Sequence, residues 1–283
     1  DVKWVVTRAL GDSGVLVLNA DDPLLVARAK TSPARLIWFS PDPRNPVLRA
    51  HAATGGTICT LNRGRIVLAR GTELQPVVAI KQIPICFGGA ARHNVANALG
   101  ATALASALRI SPESIANGLR ALRVEDNPGR ANFYSIKGAQ VLLDFAHNPH
   151  GLRAMIDMAA SLPAQRRLLI IGQAGDRSDE DIRDLARAAE ALSFERILIK
   201  ELPTKNRGRP AGEVAALLKD EFMQQGYRAR QIATVKNELA ALRAALRWTR
   251  SGDLVVFLAH EDRTKAEAML KRLDESSTVE GAK

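Results

Sequence analysis

From residue 131 onward the chain alternates short apolar runs with helical stretches of about 10–15 residues, and little else constrains its fold so strongly. Asn132–Ile136, Val141–Phe145, Leu168–Ile171, Arg196–Lys200, Gln231–Thr234 and Leu254–Leu258 read as strands. Residues 149–162, 179–191, 210–225, 237–248 and 261–273 between and after them read as helices. Alternation of this kind predicts parallel βαβ units in an open α/β sheet, a Rossmann-like domain. In such sheets ligands bind beyond the carboxyl ends of the strands, so the residues just after each strand are the ones to inspect.

The first part reads differently. GVLVLN at 14–19 is a buried-strand pattern, followed by a helix through Leu24, Leu25, Val26 and Ala29. Between residues 47 and 80 several β-like runs appear: Val47–Ala53, Thr57–Leu61, Arg65–Ala69 and Val77–Ile80. Gly55-Gly56 and Asn62-Arg63-Gly64 suggest hairpin turns between them. An Ala-rich helix follows from about Arg92 to Leu108, then a second one with Ser111 as N-cap and Pro112 at its first position. Turn-forming residues at 124–130 mark a domain boundary, giving domains 1–126 and 127–283.

Composition narrows the function classes. The chain has 283 residues, 40 Lys+Arg against 30 Asp+Glu, and a formal charge of +10. The basic residues are dispersed and aromatics are only 4%. A nucleic-acid surface concentrates its cations or interleaves them with stacking rings, so no nucleic acid is expected. Anionic small molecules suit the positive potential better. No apolar run approaches the ~18 residues of a membrane span, so no membrane is expected. Two distant cysteines, Cys59 and Cys86, and no basic-then-apolar leader point to the cytoplasm.

Five segments could carry chemistry. Asp144-Phe145-Ala146-His147-Asn148-Pro149 leaves a strand and opens a helix. Its free amides suit a phosphate, and Asp144 could accept ribose hydroxyls; it could equally be a well-capped turn. Gly172-Gln173-Ala174-Gly175-Asp176-Arg177-Ser178 permits a tight loop. Ser178 and Asp181 read as helix-start chemistry, which leaves Asp176 and Arg177 unexplained. Asn94 and Asn97 share a helix face and could read adenine, unless Asn94 is the N-cap. Arg130 follows Asn127-Pro128-Gly129 and could reach a phosphate or be a surface residue. Asp21 and Asp22 could hold a metal-bound water or cap the next helix.

In order along the chain, Asn19-Ala20-Asp21-Asp22-Pro23, Arg92-His93-Asn94-Val95-Ala96-Asn97, Asn127-Pro128-Gly129-Arg130 and Asp144-Phe145-Ala146-His147-Asn148-Pro149 resemble the Mur ligase superfamily. Gly175-Asp176-Arg177-Ser178 and Lys200-Glu201, with Arg207-Gly208-Arg209-Pro210, look like the Mur-ligase-like region of the cyanophycin synthetases. The resemblance implies a partial central ATP-binding domain, an incomplete sheet with a β-rich insertion and helices, followed by a Rossmann-like C-terminal α/β domain. It implies ATP and magnesium as cofactors. It implies amide-bond formation through an acyl phosphate, with an amino acid (arginine) joined to a polypeptide or carboxylate acceptor of aspartate backbone. His93, Asn94, Asn97, Arg130, Asp144 and Asn148 would bind the nucleotide. His147, Asp176 and Arg177 would serve catalysis, and Lys3 would be a carbamylated metal-binding lysine. Asp176, Glu201 and Glu213 are candidates for holding a substrate guanidinium.

One departure is plain: no Gly-Lys-Thr or Gly-Lys-Ser occurs, so the family's phosphate loop is missing from these 283 residues. The chain is therefore expected to be a segment that works with N-terminal segments of the same protein, in a homo-oligomer or alone. The alternatives are a peptidoglycan-precursor or folate ligase, or a noncatalytic scaffold.

Overall fold

The computed structural model describes residues 2–11 and 14–280, with side chains for 4–11 and 14–274. The chain separates into two compact units, Asp1–Arg123 and Val124–Lys283.

In the first unit, β1 (Val15–Asn19), α1 (Pro23–Ala29), β2 (Arg35–Phe39), α2 (Pro46–Ala53) and β3 (Thr57–Asn62) form a parallel β-α-β-α-β run. The chain then reverses through β4 (Arg65–Arg70) and β5 (Glu73–Ala79), both antiparallel, completing a five-stranded sheet in sequential order. α3 (Arg92–Ala107) and α4 (Pro112–Ala121) close the unit. Val95, Leu99 and Ala103 of α3 and Ile115 and Leu119 of α4 pack with Cys59, Ile66 and Val78 of the sheet in one core. A smaller core gathers Leu18, Trp38, Leu48 and Ile58.

One sequence expectation fails here. Residues 47–53 form the helix α2 and not a β-like run. Asn45 caps it, its side-chain oxygen accepting from the Val47 amide at 2.9 Å and the Leu48 amide at 3.4 Å. Pro46 supplies the first helical position, where its missing N–H costs nothing. Those two residues outweigh the local β pattern because they satisfy the helix's orphan donors at once.

In the second unit, β6 (Asn132–Ile136) and β7 (Ala139–Asp144) form an antiparallel hairpin. Parallel βαβ units follow: α5 (Pro149–Ala160), β8 (Arg167–Ile171), α6 (Asp179–Arg187), β9 (Arg196–Lys200), α7 (Glu213–Gln224), β10 (Ile232–Val235), α8 (Glu238–Trp248), β11 (Leu254–Leu258) and α9 (Arg263–Glu280). The strand order is β10-β9-β8-β11-β7-β6. The chain steps from β8 out to β10 and then returns, inserting β11 between β8 and β7. Strands β7, β8, β9 and β11 are parallel, so their exit loops share one edge of the sheet. β11 is buried along its whole length, as a central parallel strand must be.

Both halves are thus α/β with mixed sheets, as the sequence resemblance implied. The helix expected from 210 starts at Glu213 instead, because Gly212 lies at φ +87°, outside the helical region.

Candidate functional site

The reversal between β8 and β11 creates a crevice at the carboxyl edge of the second unit's sheet. A cavity of about 150 Å³ lies there. Phe145 and His147 reach it from the exit of β7, and Gln173, Asp176 and Arg177 from that of β8. Lys205 and Arg207 come from the loop after β9, and His260 from that after β11. The three residues singled out for catalysis, His147, Asp176 and Arg177, therefore line one cavity. Asp176, Arg177 and Arg207 are exposed, and His147 and Lys205 are half-buried.

Caps hold these loops in place. Asn148 accepts from the Gly151 amide at 2.8 Å and starts α5. Ser178 and Asp181 form a reciprocal capping box at α6. Gln173 is buried and bridges two exits: its Nε2 donates to His147 O at 3.0 Å and its Oε1 accepts from the Ala174 amide at 3.0 Å. Gly175 permits close backbone contact, its amide donating to Lys205 O at 2.9 Å. A Cβ at Gly175 would fall 2.0 Å from Asn206 O. Arg209 ties the same loops together, donating to Gly175 O at 2.9 Å and Arg177 O at 2.8 Å and pairing with Asp179 at 2.7 Å. It also pairs with Glu213, whose carboxylate is thereby engaged within the protein. Glu213 is therefore a poor holder for a substrate guanidinium.

Beneath the cavity sits a buried ion pair that sequence reading missed. Lys200, at the end of β9, and Glu238, at the start of α8, are both fully buried and hydrogen-bonded to each other. Glu238 also accepts from the amides of His260 at 2.7 Å, Glu261 at 3.2 Å and Asp262 at 3.0 Å. One carboxylate thus fixes the whole exit loop of β11. Burial pushes the Lys200 amine down to about 8 from its ordinary 10.5, opposed by the adjacent Glu238 charge. Lys205 Nζ donates to His260 O at 3.0 Å, joining the exits of β9 and β11.

His260 was also missed. Its Nε2 donates to Ala146 O at 2.8 Å, and among the described residues its Nδ1 has no hydrogen-bond partner. Burial, then the nearby Lys200 charge, depresses its pKa well below the usual 6.5. The ring is therefore neutral at pH 7, with Nε2 protonated and a lone pair on Nδ1. The only signal in the sequence was its place just past a strand end.

Asp144 is buried, with Oδ2 accepting from the Ala131 amide at 2.8 Å and Oδ1 from the Ala146 amide at 2.6 Å. It clamps the segment preceding β6 to the exit of β7. Asn132 does similar work: its Oδ1 accepts from Gly129 at 2.5 Å and Arg130 at 3.3 Å, and its Nδ2 donates to Val124 O at 2.9 Å. These bonds set the position of Arg130, whose guanidinium lies 5.6 Å from the centre of the Phe145 ring. The Phe145 ring in turn packs against His147 and His260.

In the first unit, the cap of α3 is at Ala91 and makes no side-chain bond, so Asn94 is not the N-cap. It lies inside the first turn, its Nδ2 donating to Ile85 O at 2.7 Å, and its Oδ1 accepts from Asn97 Nδ2 at 3.4 Å. The two asparagines therefore meet, and Asn97 is exposed. His93 is half-buried in the same turn. Asp22 caps α1, accepting from the amides of Leu24 at 2.9 Å and Leu25 at 3.2 Å. Asp21 accepts from Ser40 Oγ at 2.8 Å and Asn45 Nδ2 at 2.9 Å. The Lys3 side chain lies outside the described residues. Among the described residues, no group of three or more His, Cys, Asp or Glu is placed to hold a metal ion. No helix among them is long and apolar enough to cross a membrane.

Residues 129–260 match the family model for the Mur ligase, glutamate ligase domain, a span that contains the whole cavity. Residues 129–260 thus carry a domain of the Mur ligase superfamily. Within it, the chain is similar to cyanophycin synthetases. It is 35% identical to that of Synechocystis sp. over 272 residues, which cover 95% of this chain and 31% of the relative. Identity is 34% with that of Crocosphaera subtropica, over 96% of this chain and 31% of the relative. The chain thus spans under a third of the length of these curated relatives. Among solved structures it is similar in fold to a murein peptide ligase from Psychrobacter arcticus, with a TM-score of 0.62 at 16% identity, covering 94% of this chain and 52% of that one. A MurF ligase from Thermotoga maritima, in complex with ADP, gives 0.57 at 15%, covering 94% and 55%.

Proposed function

We propose that this chain is part of an ATP-dependent acid–amino-acid ligase that joins arginine to an aspartate-backbone acceptor, as in cyanophycin synthesis. The observation that carries the reading is the convergence of His147, Asp176 and Arg177 on one cavity at the strand exits. The similarity to cyanophycin synthetases supplies the substrate class. The fold shared with a ligase solved with ADP supports nucleotide use.

Bound ATP would supply the phosphoryl group that turns the acceptor carboxylate into an acyl phosphate. The chain's own residues then have distinct tasks. Asn97, oriented by Asn94, presents an exposed amide that can donate to and accept from an adenine edge. Arg177, Lys205 and Arg207 place positive charge around the cavity, where an acyl phosphate builds up negative charge. Among the described residues, Asp176 is the one carboxylate lining the cavity, and it takes the cationic end of the amino acid. His147 lines the cavity beside the Phe145 ring, near where the acyl group is held. His260, held by its Nε2 on Ala146 O, braces the exits of β7 and β11 beside the cavity. Arg130, on the Phe145 ring, adds charge from the segment preceding β6. Asp144 acts as a positioning residue, because both its oxygens already hold backbone amides.

Steady-state kinetics of the intact ligase test the reading. Asp176→Asn should raise the arginine KM by about 10–100-fold, the scale of one lost charged hydrogen bond, with the ATP KM unchanged. An unchanged arginine KM would remove Asp176 from the site.

A further inference from the structure

The first unit holds a larger cavity, of about 910 Å³, that none of these roles uses. Its apolar part is formed by Leu61, Ile80 and Val95, and four cations lie around it: Arg63, Arg65, Lys81 and Arg92. All four are exposed. Among the described residues none of them makes an ion pair, whereas the cavity's one carboxylate, Asp42, pairs with Arg44 at 3.5 Å.

The backbone brings these cations together from three separate segments. β3 and β4 are joined by Arg63-Gly64, at φ +48° and +72°. A two-residue turn with both positions left-handed favours Asn-Gly, so local folding gives no reason for arginine there. A non-glycine residue in this region costs about 1–2 kcal/mol. The Ile80 amide donates to Gly64 O at 3.0 Å, which sets Lys81 beside that turn. The chain then passes through Phe87, Gly88 and Gly89, all at positive φ, to deliver Arg92 at the start of α3. Like charges gathered without counter-charges repel one another, and an anion bound among them relieves that repulsion.

The shape indicates which anion. The cations are exposed and come from a turn, a short helical segment and a helix start. The cavity is large enough for a segment of polypeptide, and its apolar part can cover backbone and methylene groups. Carboxylates spaced along an extended chain match that layout better than one compact phosphate. We infer that this cavity docks an extended acidic polypeptide.

The test is fluorescence anisotropy of a labelled oligo-aspartate of about ten residues, titrated with the 283-residue chain at low ionic strength without ATP. Saturable binding is expected. Arg63→Glu combined with Lys81→Glu, and separately Arg92→Glu, should weaken it at least about tenfold, as loss of close charge complementarity does. Arg49→Glu and Lys271→Glu remove the same kind of charge from exposed positions elsewhere and should leave the affinity within about twofold. Equal weakening by these controls would mean attraction to net charge alone and would overturn the site. Absence of binding would do the same. Displacement by inorganic tripolyphosphate at equal or lower concentration than unlabelled oligo-aspartate would reassign the cavity to phosphate. Binding is scored without turnover. Failure of arginine-dependent phosphate release in the intact protein would therefore count against the ligase reading separately from this one.

Discussion

Asp21 leaves β1 of the first unit and Asp144 leaves β7 of the second, and both looked like ligand-binding carboxylates. Both make hydrogen bonds within the protein. Asp21, exposed, ties together the exits of β1 and β2 through Ser40 and Asn45 side chains. Asp144, buried, holds two backbone amides from separate segments. The cations differ more. Around the second unit's cavity, loops are braced by a buried ion pair, by Arg209 and by a glycine contact too tight for any side chain. Among the described residues, the first unit's four cavity cations, on a turn, a short helical segment and a helix start, make no ion pair. A braced set of charges suits chemistry, which needs fixed geometry. An unbraced set suits a flexible charged ligand, which needs only proximity.

The largest expected effect sharpens that contrast. Glu238→Ala strands the buried Lys200 and three backbone amides, and should lower stability by about 3–5 kcal/mol. Asp21→Ala, at a more exposed network of neutral donors, should cost about 1 kcal/mol. Denaturant midpoints at pH 7 compare them, and equal costs would break the distinction between the two units. The same ion pair gives a pH signature. The Lys200 amine titrates near 8 when folded and near its ordinary 10.5 when unfolded. Between those values the unfolded chain holds a proton the folded one has lost. Lys200's penalty on the fold is thus complete below pH 8 and is relieved as pH rises toward 10.5. Lys200→Met should remove that rise. If wild type and variant had parallel pH profiles from 8 to 10.5, Lys200 would not be the titrating group.

Glycines give a smaller and more local comparison. Gly175→Ala pushes a methyl group against Asn206 O, which lies on backbone that cannot swing away, and should cost about 1–3 kcal/mol. Gly64→Ala meets nothing within 4 Å but sits at φ +72°, and should cost about 1 kcal/mol from backbone strain alone. Thermal midpoints of the two variants, with the arginine KM of the intact ligase as a second readout, separate the cases. Only Gly175→Ala should disturb the proposed amino-acid site.

Much of this molecule was legible one segment at a time. The βαβ alternation, the caps at Asp22, Ser111, Asn148 and Ser178, and the loops that line the second cavity all follow from spacings of a few residues. Those rules act over one helical turn or one strand, so the sequence alone determined them. It also left Asp176 and Arg177 without a local role, and both line the second unit's cavity. What only tertiary structure decided are pairings across long separations. Lys200 meets Glu238 because β9 and α8 are brought together by the sheet's strand order, 38 residues apart in sequence. His260 meets Ala146 across 114 residues because β11 inserts beside β7. Whether a strand-end carboxylate faces a ligand or a neighbouring backbone amide depends on which strand lies next to it. No spacing along the chain encodes that choice, because burial and partner are set by the whole sheet.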